Sequence, residues 1–245
     1  MKWLAALVIA LTIFSAARAY TEVSTIVDAQ VQPDGTARVS ERYSLFLQSE
    51  AEVEEFENLR KFGPNTVVSW RRFLPSMKYH LTTGVTPLDT RVSARRLFDI
   101  GARSAAIELN YYLQNPIFNA TQTLGRTTTY TLYPNAIAFD RTENGVINLP
   151  PTVTLEFELP ENARVVKAAV SPPVSSIEDN RVLWVGPLAG AWALSYKLEK
   201  PLGVEVSEYF TNLYAQAFGL IPTFLPIALV LLLAAFVYSK TVRKQ

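Results

Sequence analysis

The chain's single histidine, His80, is the first residue to consider for chemistry, because general-base and nucleophilic catalysis near neutral pH often depends on an imidazole. A histidine-based triad would have to use this residue, which lies in the weakly helical pattern MKYHL. Transition-metal sites need several histidine or cysteine ligands, and the chain has no cysteine. The G-x-S-x-G, H-E-x-x-H and Walker motifs are also absent from the sequence. We therefore interpret His80 as an ordinary surface or half-buried residue.

Two pairs of neighbouring carboxylates are the other candidates for acid–base chemistry. Glu156 and Glu158 alternate in TVTLEFELP, so both project from the polar face of one predicted strand. Glu178 and Asp179 lie in the turn-like sequence SSIEDN, which lacks the ligand spacing of a calcium loop. Both pairs are interpreted as solvated surface. The sequence thus predicts no catalytic, cofactor-binding or metal-binding residue, and a protein that is not an enzyme.

Charge is distributed unevenly along the first half of the chain. Residues 60–103 contain nine basic residues and two acidic ones, whereas residues 50–57 contain five glutamates. Such asymmetry can dock a partner protein, anionic lipid headgroups or a surface polysaccharide. The alternative is two solvated faces that neutralise each other. The basic residues predicted for a partner surface are Arg71, Arg72, Arg95 and Arg96.

One possible modification site is visible in the sequence. Asn119-Ala120-Thr121 is an N-glycosylation sequon, placed in a predicted turn after Pro116. Asn119 is therefore the candidate glycosylation site, and its occupancy is left open.

The organisation of the chain begins with a predicted N-terminal targeting segment. Residues 1–19 contain a basic residue, a twelve-residue apolar stretch and an A-x-A sequence that ends at Ala19. This pattern predicts a signal peptide cleaved after Ala19, since the apolar stretch is too short to span a bilayer comfortably. An uncleaved signal anchor is the alternative.

A longer apolar segment lies near the C-terminus and predicts a membrane anchor at 219–239. The twenty residues from Gly219 to Tyr238 carry no charge and span roughly 30 Å as a helix, which matches a bilayer core. The tail at 240–245 is predicted to be cytoplasmic because of its basic residues Lys240, Arg243 and Lys244. The sequence therefore predicts a single-pass type I protein of the cell membrane, with the lipid bilayer as one partner and most of the chain extracytoplasmic.

Residues 204–218 form an amphipathic pattern directly before the predicted anchor. Apolar residues recur there at helical spacing on one face. This pattern predicts a juxtamembrane helix that continues the anchor, lies on the membrane surface or pairs with a partner helix. Phe210 and Tyr214 on its apolar face complete the predicted partner surface.

Residues 20–203 form the predicted external domain. The first 28 of them predict two strands around the turn Pro-Asp-Gly at 33–35, where glycine accepts a positive φ. A helical insertion follows at about 49–81, opened by a capping box of Ser49 and Glu52. Arg60 and Lys61 match the helix dipole at the end of its first helix, and Gly63 is predicted to stop that helix. From residue 90 onward, short β-branched or aromatic segments alternate with turns rich in Gly, Pro and Asn. The predicted fold class is mainly β: an antiparallel β-sandwich-like ectodomain with one or two inserted helices, plus a C-terminal transmembrane α-helix.

Composition limits the function classes. All 22 acidic residues and 18 of the 23 basic ones lie between residues 20 and 239, so this part carries a net charge of −4. A nucleic-acid-binding domain normally has the opposite sign and a basic face, so nucleic acid is excluded as a predicted partner. Without cysteine, no disulfide framework stabilises the exported domain.

Loose strand motifs recur over most of the chain, in PDGTARVSERYSLFL, in GVINLPPTVTLEFELPENARVVKAAVSPP and in NRVLWVGPLAGAWALSYKLEKPL. Together with the signal peptide and the C-terminal anchor, they resemble uncharacterised archaeal membrane-anchored surface proteins. This resemblance implies a β-rich ectodomain at an archaeal cell surface and assigns no catalytic residue to any position.

The sequence therefore favours a non-enzymatic interaction or scaffold module, or an accessory subunit of an envelope membrane complex. Its predicted partner is another membrane or surface protein. The alternative is a ligand- or glycan-binding ectodomain that serves a transporter or sensor. A surface hydrolase is the third hypothesis, and it requires convergent carboxylates or a partner for His80.

Overall fold

A computed structural model describes residues 20–142 and 146–200 and, beyond these, Thr211 and Leu213, both in helical backbone. The chain divides into two units, Met1–Glu199 and Lys200–Gln245. Within the described residues, no helix combines the length and the hydropathy needed to cross a bilayer. The predicted signal peptide, its cleavage site and the predicted membrane anchor with its tail lie outside the described residues, as do Phe210 and Tyr214.

The described part of the first unit is mainly β, as predicted, and contains two α-helices. The helices are α1 (Glu50–Phe62) and α2 (Val67–Phe73). The strands are β1 (Tyr20–Val31), β2 (Ala37–Leu47), β3 (Leu88–Arg96), β4 (Ser104–Leu113), β5 (Phe118–Leu124), β6 (Thr127–Leu132), β7 (Ile147–Leu149), β8 (Val153–Glu158), β9 (Arg164–Val165), β10 (Ser176–Glu178), β11 (Arg181–Val185), β12 (Leu188–Gly190) and β13 (Ser195–Glu199).

Three sheets are formed by these strands. The largest has the order β10-β11-β8-β1-β2-β4-β3, the second the order β5-β6-β13-β9, and β12 pairs with β7. Neighbouring strands run antiparallel except β1 and β8, which are parallel and pair Thr25 with Val153. The pairing is mainly antiparallel, as the sequence predicted, but the parallel pair was not foreseen, because it joins segments too distant in sequence for a local pattern to reveal.

The first hairpin forms as predicted. β1 and β2 are joined by the turn at 33–35, where Gly35 adopts a φ of +84°. The Asp34 carboxylate accepts hydrogen bonds from the Thr36 backbone N–H at 3.0 Å and from its hydroxyl at 2.6 Å. A Cβ at Gly35 would lie 2.2 Å from the Phe118 carbonyl oxygen, so both the φ and the close approach require glycine.

The helical insertion contains both helices but ends earlier than predicted. Ser49 caps α1, where its hydroxyl accepts from the Glu52 backbone N–H at 3.3 Å, and Gly63 ends the helix. α2 stops at Phe73, two residues before Pro75, and residues 74–81 are not helical. The helical interpretation of MKYHL is therefore wrong, and His80 lies in an irregular segment.

The core lies on one face of the large sheet. Side chains at alternate positions of β2 and β8 are buried there, among them Val39, Leu155 and Phe157. α1 and α2 cover part of this face with an aromatic cluster, in which the Phe56 ring lies 5.6 Å from that of Trp70 and 5.8 Å from that of Phe73. This packing holds α1 beside β2 and β3, and so positions the site described next.

Candidate functional site: a basic cavity at the end of the edge strand

A cavity of about 560 Å³ lies where the last turns of α1 meet the end of the edge strand β3. Its lining contains four cationic side chains, one carboxylate and one aromatic ring: Arg60, Lys61, Arg95, Arg96, Glu57 and Phe98. We call these four cations and Phe98 the basic cavity. The local charge is opposite in sign to the net charge of −4 carried by residues 20–239. An open hollow with this lining is suited to an anionic group.

The α1 side of the cavity is partly neutralised. Arg60 Nη2 lies 2.6 Å from Glu57 Oε2, and Lys61 Nζ lies 3.5 Å from the same oxygen. The hydrogen bond from Arg60 and the two positive charges hold the pKa of the Glu57 carboxyl below its usual value. Glu57 thus forms ion pairs with both Arg60 and Lys61, so this side of the cavity keeps a net positive charge.

On the β3 side, each arginine is held by different contacts. Arg95 Nη2 lies 3.2 Å from Glu108 Oε1, which Arg42 Nη2 also contacts at 3.1 Å. Arg96 donates to the Ala102 carbonyl oxygen, and its guanidinium carbon lies 5.2 Å from the centre of the Phe98 ring. Arg96 Nε is buried and has no hydrogen-bond partner among the described residues. Again two cations share one carboxylate, Glu108.

A second hollow of about 420 Å³ adjoins the basic cavity and shares Arg95 and Arg96 with it. Its other lining residues belong to β1, to β2 and to the connection between β3 and β4: Ile26, Arg42, Ser44, Leu97, Asp99 and Ile100. The two arginines therefore stand between two hollows at the end of an edge strand.

The structure brings together some of the predicted partner residues and separates others. Arg95 and Arg96 line the basic cavity, whereas Arg71 donates from Nε to the Met77 carbonyl at 2.9 Å and so stabilises the chain after α2. Arg72 is an exposed residue of α2. Arg60 and Lys61 were not predicted as site residues, because their position at the end of a helix was explained by the helix dipole alone.

The sequon also lies elsewhere than predicted. Asn119 is an exposed residue within β5 and pairs with Thr131 of β6, rather than lying in a turn. The Thr121 hydroxyl donates to the Thr129 carbonyl at 3.2 Å.

His80 belongs to a second candidate cluster, which is buried. Glu41 is fully buried on β2, and His80 Nδ1 lies 2.8 Å from its Oε2, to which the Tyr43 hydroxyl donates at 2.6 Å. The other carboxylate oxygen, Glu41 Oε1, accepts hydrogen bonds from the Tyr111 hydroxyl at 2.6 Å and from the His80 backbone N–H at 2.8 Å. The pKa values of the Tyr43 and Tyr111 hydroxyls are raised well above the usual value, mainly by burial and secondly by the negative charge of Glu41. We call Glu41, Tyr43, His80 and Tyr111 the Glu41 cluster.

The hydrogen bonds of the Glu41 cluster join β2 to His80 in the segment after α2. Each carboxylate oxygen accepts two hydrogen bonds, and the His80 ring stacks on Phe139 with centroids 4.5 Å apart. Beside it, Lys78 Nζ lies 2.6 Å from Asp140, whose pKa this hydrogen bond lowers. The cluster ties the segment after α2 to the sheet. Glu41 was missed as a core residue although it takes an inward position in the alternation of β2.

The predicted carboxylate pair on β8 lies on the polar face of the strand, as expected. Glu156 and Glu158 are half-buried, and Arg181 of β11 lies 3.5 Å from each. Asp28 of β1 lies beside them in the parallel register, which pairs it with Glu156. Burial and then these two glutamates raise the pKa of the Asp28 carboxyl, against the opposing effect of Arg181.

Comparison with known proteins gives little further information. No family model matches the chain, and no curated protein matches it. Among solved structures, the chain is similar to the folded domain of the LppM protein of Mycobacterium tuberculosis, determined by NMR. The identity is 10%, the match covers 74% of this chain and 94% of that one, and the TM-score is 0.32. This similarity is too low to carry any argument about the present chain.

Proposed function

We propose that the chain is a non-enzymatic, membrane-anchored surface protein whose external domain recognises an anionic group through the basic cavity. Its ectodomain is β-sandwich-like, anchored by a single C-terminal transmembrane helix, and it acts as an interaction module or as an accessory subunit of an envelope membrane complex. The archaeal cell surface stays a prediction that rests on resemblance alone.

The observation that carries this proposal is the set of four cations around one open cavity. Arg60 and Lys61 reach it from α1, Arg95 and Arg96 from β3, and Glu57 is the only acidic residue of the lining. Side chains of like charge repel each other, so their convergence costs stability unless a ligand or counter-ion offsets it. An anionic partner supplies that compensation and also uses the planar guanidinium donors.

The Glu41 cluster supports a non-enzymatic role. A catalytic histidine–carboxylate pair needs a nucleophile or substrate within reach of the imidazole. Here the His80 ring contacts the Glu41 carboxylate, the Tyr43 hydroxyl and the Phe139 ring, and the residues that line the two hollows do not include His80. The described cluster therefore fits a role in folding.

A second candidate function, a ligand- or glycan-binding ectodomain that serves a transporter or sensor, is favoured by another hollow. It has a volume of about 350 Å³ and is lined by residues of all four strands of the four-stranded sheet. Its hydroxyl and amide groups, from Gln122, Thr127, Thr129 and Asn162, can bond to sugar hydroxyls. With two cations and one carboxylate, its lining carries less positive charge than that of the basic cavity, which makes this hollow a useful control.

Isothermal titration calorimetry of the full chain in mild detergent tests the proposal, with inorganic pyrophosphate as the probe. We expect binding that the double variant Arg60→Gln/Lys61→Gln weakens about thirtyfold, since each lost cation contributes on the order of 1 kcal/mol to a charge-assisted contact. The matched control, Arg164→Gln/Lys197→Gln, removes the same charge from the other hollow and should leave the affinity within about twofold. Equal losses in both variants would refute recognition at the basic cavity.

The interaction role has its own test in native membranes. The protein is extracted in mild detergent, and the mass of the particle and the identity of co-purifying proteins are measured. A stoichiometric membrane protein supports the accessory-subunit proposal. A particle that contains this chain alone contradicts it and favours the ligand-binding alternative.

A further inference from the structure

Three large apolar side chains protrude around the basic cavity. Phe62 directly follows Lys61 at the end of α1 and is 82% exposed. Phe98 lines the cavity and is 72% exposed, and Ile100 lines the adjoining hollow and is 71% exposed. Single exposed apolar residues are ordinary, but here one lines the basic cavity, one lines the adjoining hollow and one directly follows a cation of the cavity. We call the lining of the two hollows together with Phe62 the rim.

The connection that carries two of these side chains is a tight turn. The backbone N–H groups of Ile100 and Gly101 both donate to the Leu97 carbonyl at 3.0 Å, and Ser104 N–H donates to the Gly101 carbonyl at 3.0 Å. Arg103 fixes its base, since Nη1 donates to the Gln48 carbonyl at 2.8 Å and Nη2 lies 3.1 Å from Glu50. The apolar tips are therefore held outward by bonded backbone.

Cations and apolar tips alternate along this rim. Arg96 lies over the Phe98 ring, and Lys61 immediately precedes Phe62. A bilayer interface offers both kinds of partner at matching depths, with phosphates at the level of the cations and acyl chains just below them. Long basic side chains suit this position because their stems lie along apolar surface while their charges stay at the headgroups.

We propose that this rim docks on the surface of an anionic bilayer. Phe62, Phe98 and Ile100 insert into the interface, and the four cations of the basic cavity bind lipid phosphates. The inference rests on the proposed anion recognition and names its source as a lipid headgroup rather than a free anion. We choose a bilayer as the partner because of charge complementarity: the cavity lining has four cations and one carboxylate, and an anionic leaflet has a negative surface.

The chain has no cysteine, so a single introduced cysteine can be labelled with a thiol-reactive dye at one known position. The full-length variant Ile100→Cys carries an environment-sensitive dye and is reconstituted into vesicles with or without phosphatidylglycerol and with a lipid-borne quencher. Leu124→Cys is the matched control, because Leu124 is 69% exposed at the end of β5.

We expect quenching at position 100 in vesicles that contain phosphatidylglycerol, and much less in neutral ones. The added change Arg60→Gln/Lys61→Gln should reduce the docked-to-undocked ratio about thirtyfold, as expected for two cations near an anionic surface. Phe62→Ser should reduce it as well, without affecting pyrophosphate binding, because Phe62 does not line the basic cavity. Position 124 should stay unquenched in both kinds of vesicle.

The outcomes separate this inference from the proposed function. Pyrophosphate binding without quenching at position 100 would overturn bilayer docking and leave anion recognition standing. Equal quenching in neutral and anionic vesicles, or equal quenching at positions 100 and 124, would overturn headgroup recognition. Absence of both pyrophosphate binding and quenching would refute the two proposals together.

Discussion

The Glu41 carboxylate and the His80 imidazole lie 2.8 Å apart in the protein interior, at 0% and 8% side-chain exposure. They come from β2 and from the irregular segment after α2, 39 residues apart in sequence. This contact, with the two tyrosine hydroxyls that complete it, anchors a segment without regular hydrogen bonding to the sheet. A buried carboxylate that accepts four hydrogen bonds is stable only while its donors remain in place.

We predict that removal of one donor from the Glu41 cluster destabilises the domain. Tyr111→Phe leaves Glu41 Oε1 with one hydrogen bond fewer and should lower the free energy of unfolding by about 1–3 kcal/mol. Glu41→Gln places an amide NH₂ group, itself a donor, among the groups that donate to the carboxylate, and should lower the free energy of unfolding by about 3 kcal/mol or more. Thermal unfolding followed by circular dichroism measures both changes.

Tyr79→Phe is the control for this prediction. Tyr79 packs edge-on against Tyr111, but its hydroxyl makes only a 3.4 Å contact with Thr90. Its loss should change stability by less than about 0.5 kcal/mol. Both variants keep the aromatic ring and remove one hydroxyl, so an equal loss of stability in the two would show that the contact with the Glu41 carboxylate has no special weight.

Local sequence patterns predicted the parts of the fold that depend on neighbours in sequence. The Pro-Asp-Gly turn defined the first hairpin, and Ser49 with Gly63 marked the ends of α1. The parallel pairing of β1 with β8 could not be predicted, because it depends on contacts between distant segments. The Glu41 cluster was partly visible, since period-two alternation in β2 places Glu41 inward with Val39 and Tyr43.

The basic cavity was predicted only in part for a similar reason. The excess of cations in residues 60–103 was evident from the sequence, and two of the residues predicted for a partner surface, Arg95 and Arg96, line the same cavity. Their meeting with Arg60 and Lys61 depends on how α1 packs across the sheet. The Phe56–Trp70 contact that fixes this packing joins two helices whose mutual orientation no short pattern encodes.

Asp28 provides a prediction about pH. Its Oδ1 is buried and has no hydrogen-bond partner among the described residues, and its pKa is raised. A raised carboxyl pKa means that the folded state binds the proton more tightly than the unfolded state. The ionised group therefore destabilises the fold at neutral pH, and this penalty disappears as the pH falls through the raised pKa toward the ordinary value of 3.8.

Asp28→Asn should accordingly raise the unfolding temperature at pH 7, with a gain of up to about 1 kcal/mol after allowance for its partial exposure. The gain should shrink as the pH falls through the raised pKa of Asp28, because the wild-type carboxyl then becomes protonated in the folded state. Asp99→Asn, at an exposed position, is the control and should leave the unfolding temperature at pH 7 unchanged. A destabilised Asp28→Asn at pH 7 would contradict the assignment of an unfavourable charge.

Gly35 and Gly84 allow backbone strain to be separated from steric exclusion. Both have a positive φ, +84° and +79°, but a Cβ would meet the Phe118 carbonyl at Gly35 and no atom within 4 Å at Gly84. Gly84→Ala should cost about 1 kcal/mol for the backbone conformation alone. Gly35→Ala must also displace β5 and should cost several times as much. Equal losses in thermal unfolding would show that the contact with Phe118 relaxes freely.

Glu57 provides the last prediction, because it is the carboxylate that opposes anion binding in the basic cavity. Glu57→Gln removes the charge shared by Arg60 and Lys61 and should strengthen pyrophosphate binding about threefold, since partly exposed ion pairs are worth well under 1 kcal/mol. The pKa of Glu57 is lowered, so its charge persists through mildly acidic pH. The difference in affinity between Glu57→Gln and the wild-type protein, compared at the same pH so that protonation of pyrophosphate cancels, should therefore disappear only below the ordinary value of 4.5.

Stability should change in the opposite direction. A lowered pKa means that Glu57 stabilises the fold at neutral pH and that this contribution is lost as the pH falls through the folded-state value. Glu57→Gln should therefore lose about 0.5 kcal/mol, typical of helical pairs at these spacings, while it gains affinity. Glu54→Gln, a control on the same helix outside the cavity lining, should leave the affinity unchanged. Equal affinity in Glu57→Gln and the wild-type protein would place the bound anion elsewhere than the basic cavity.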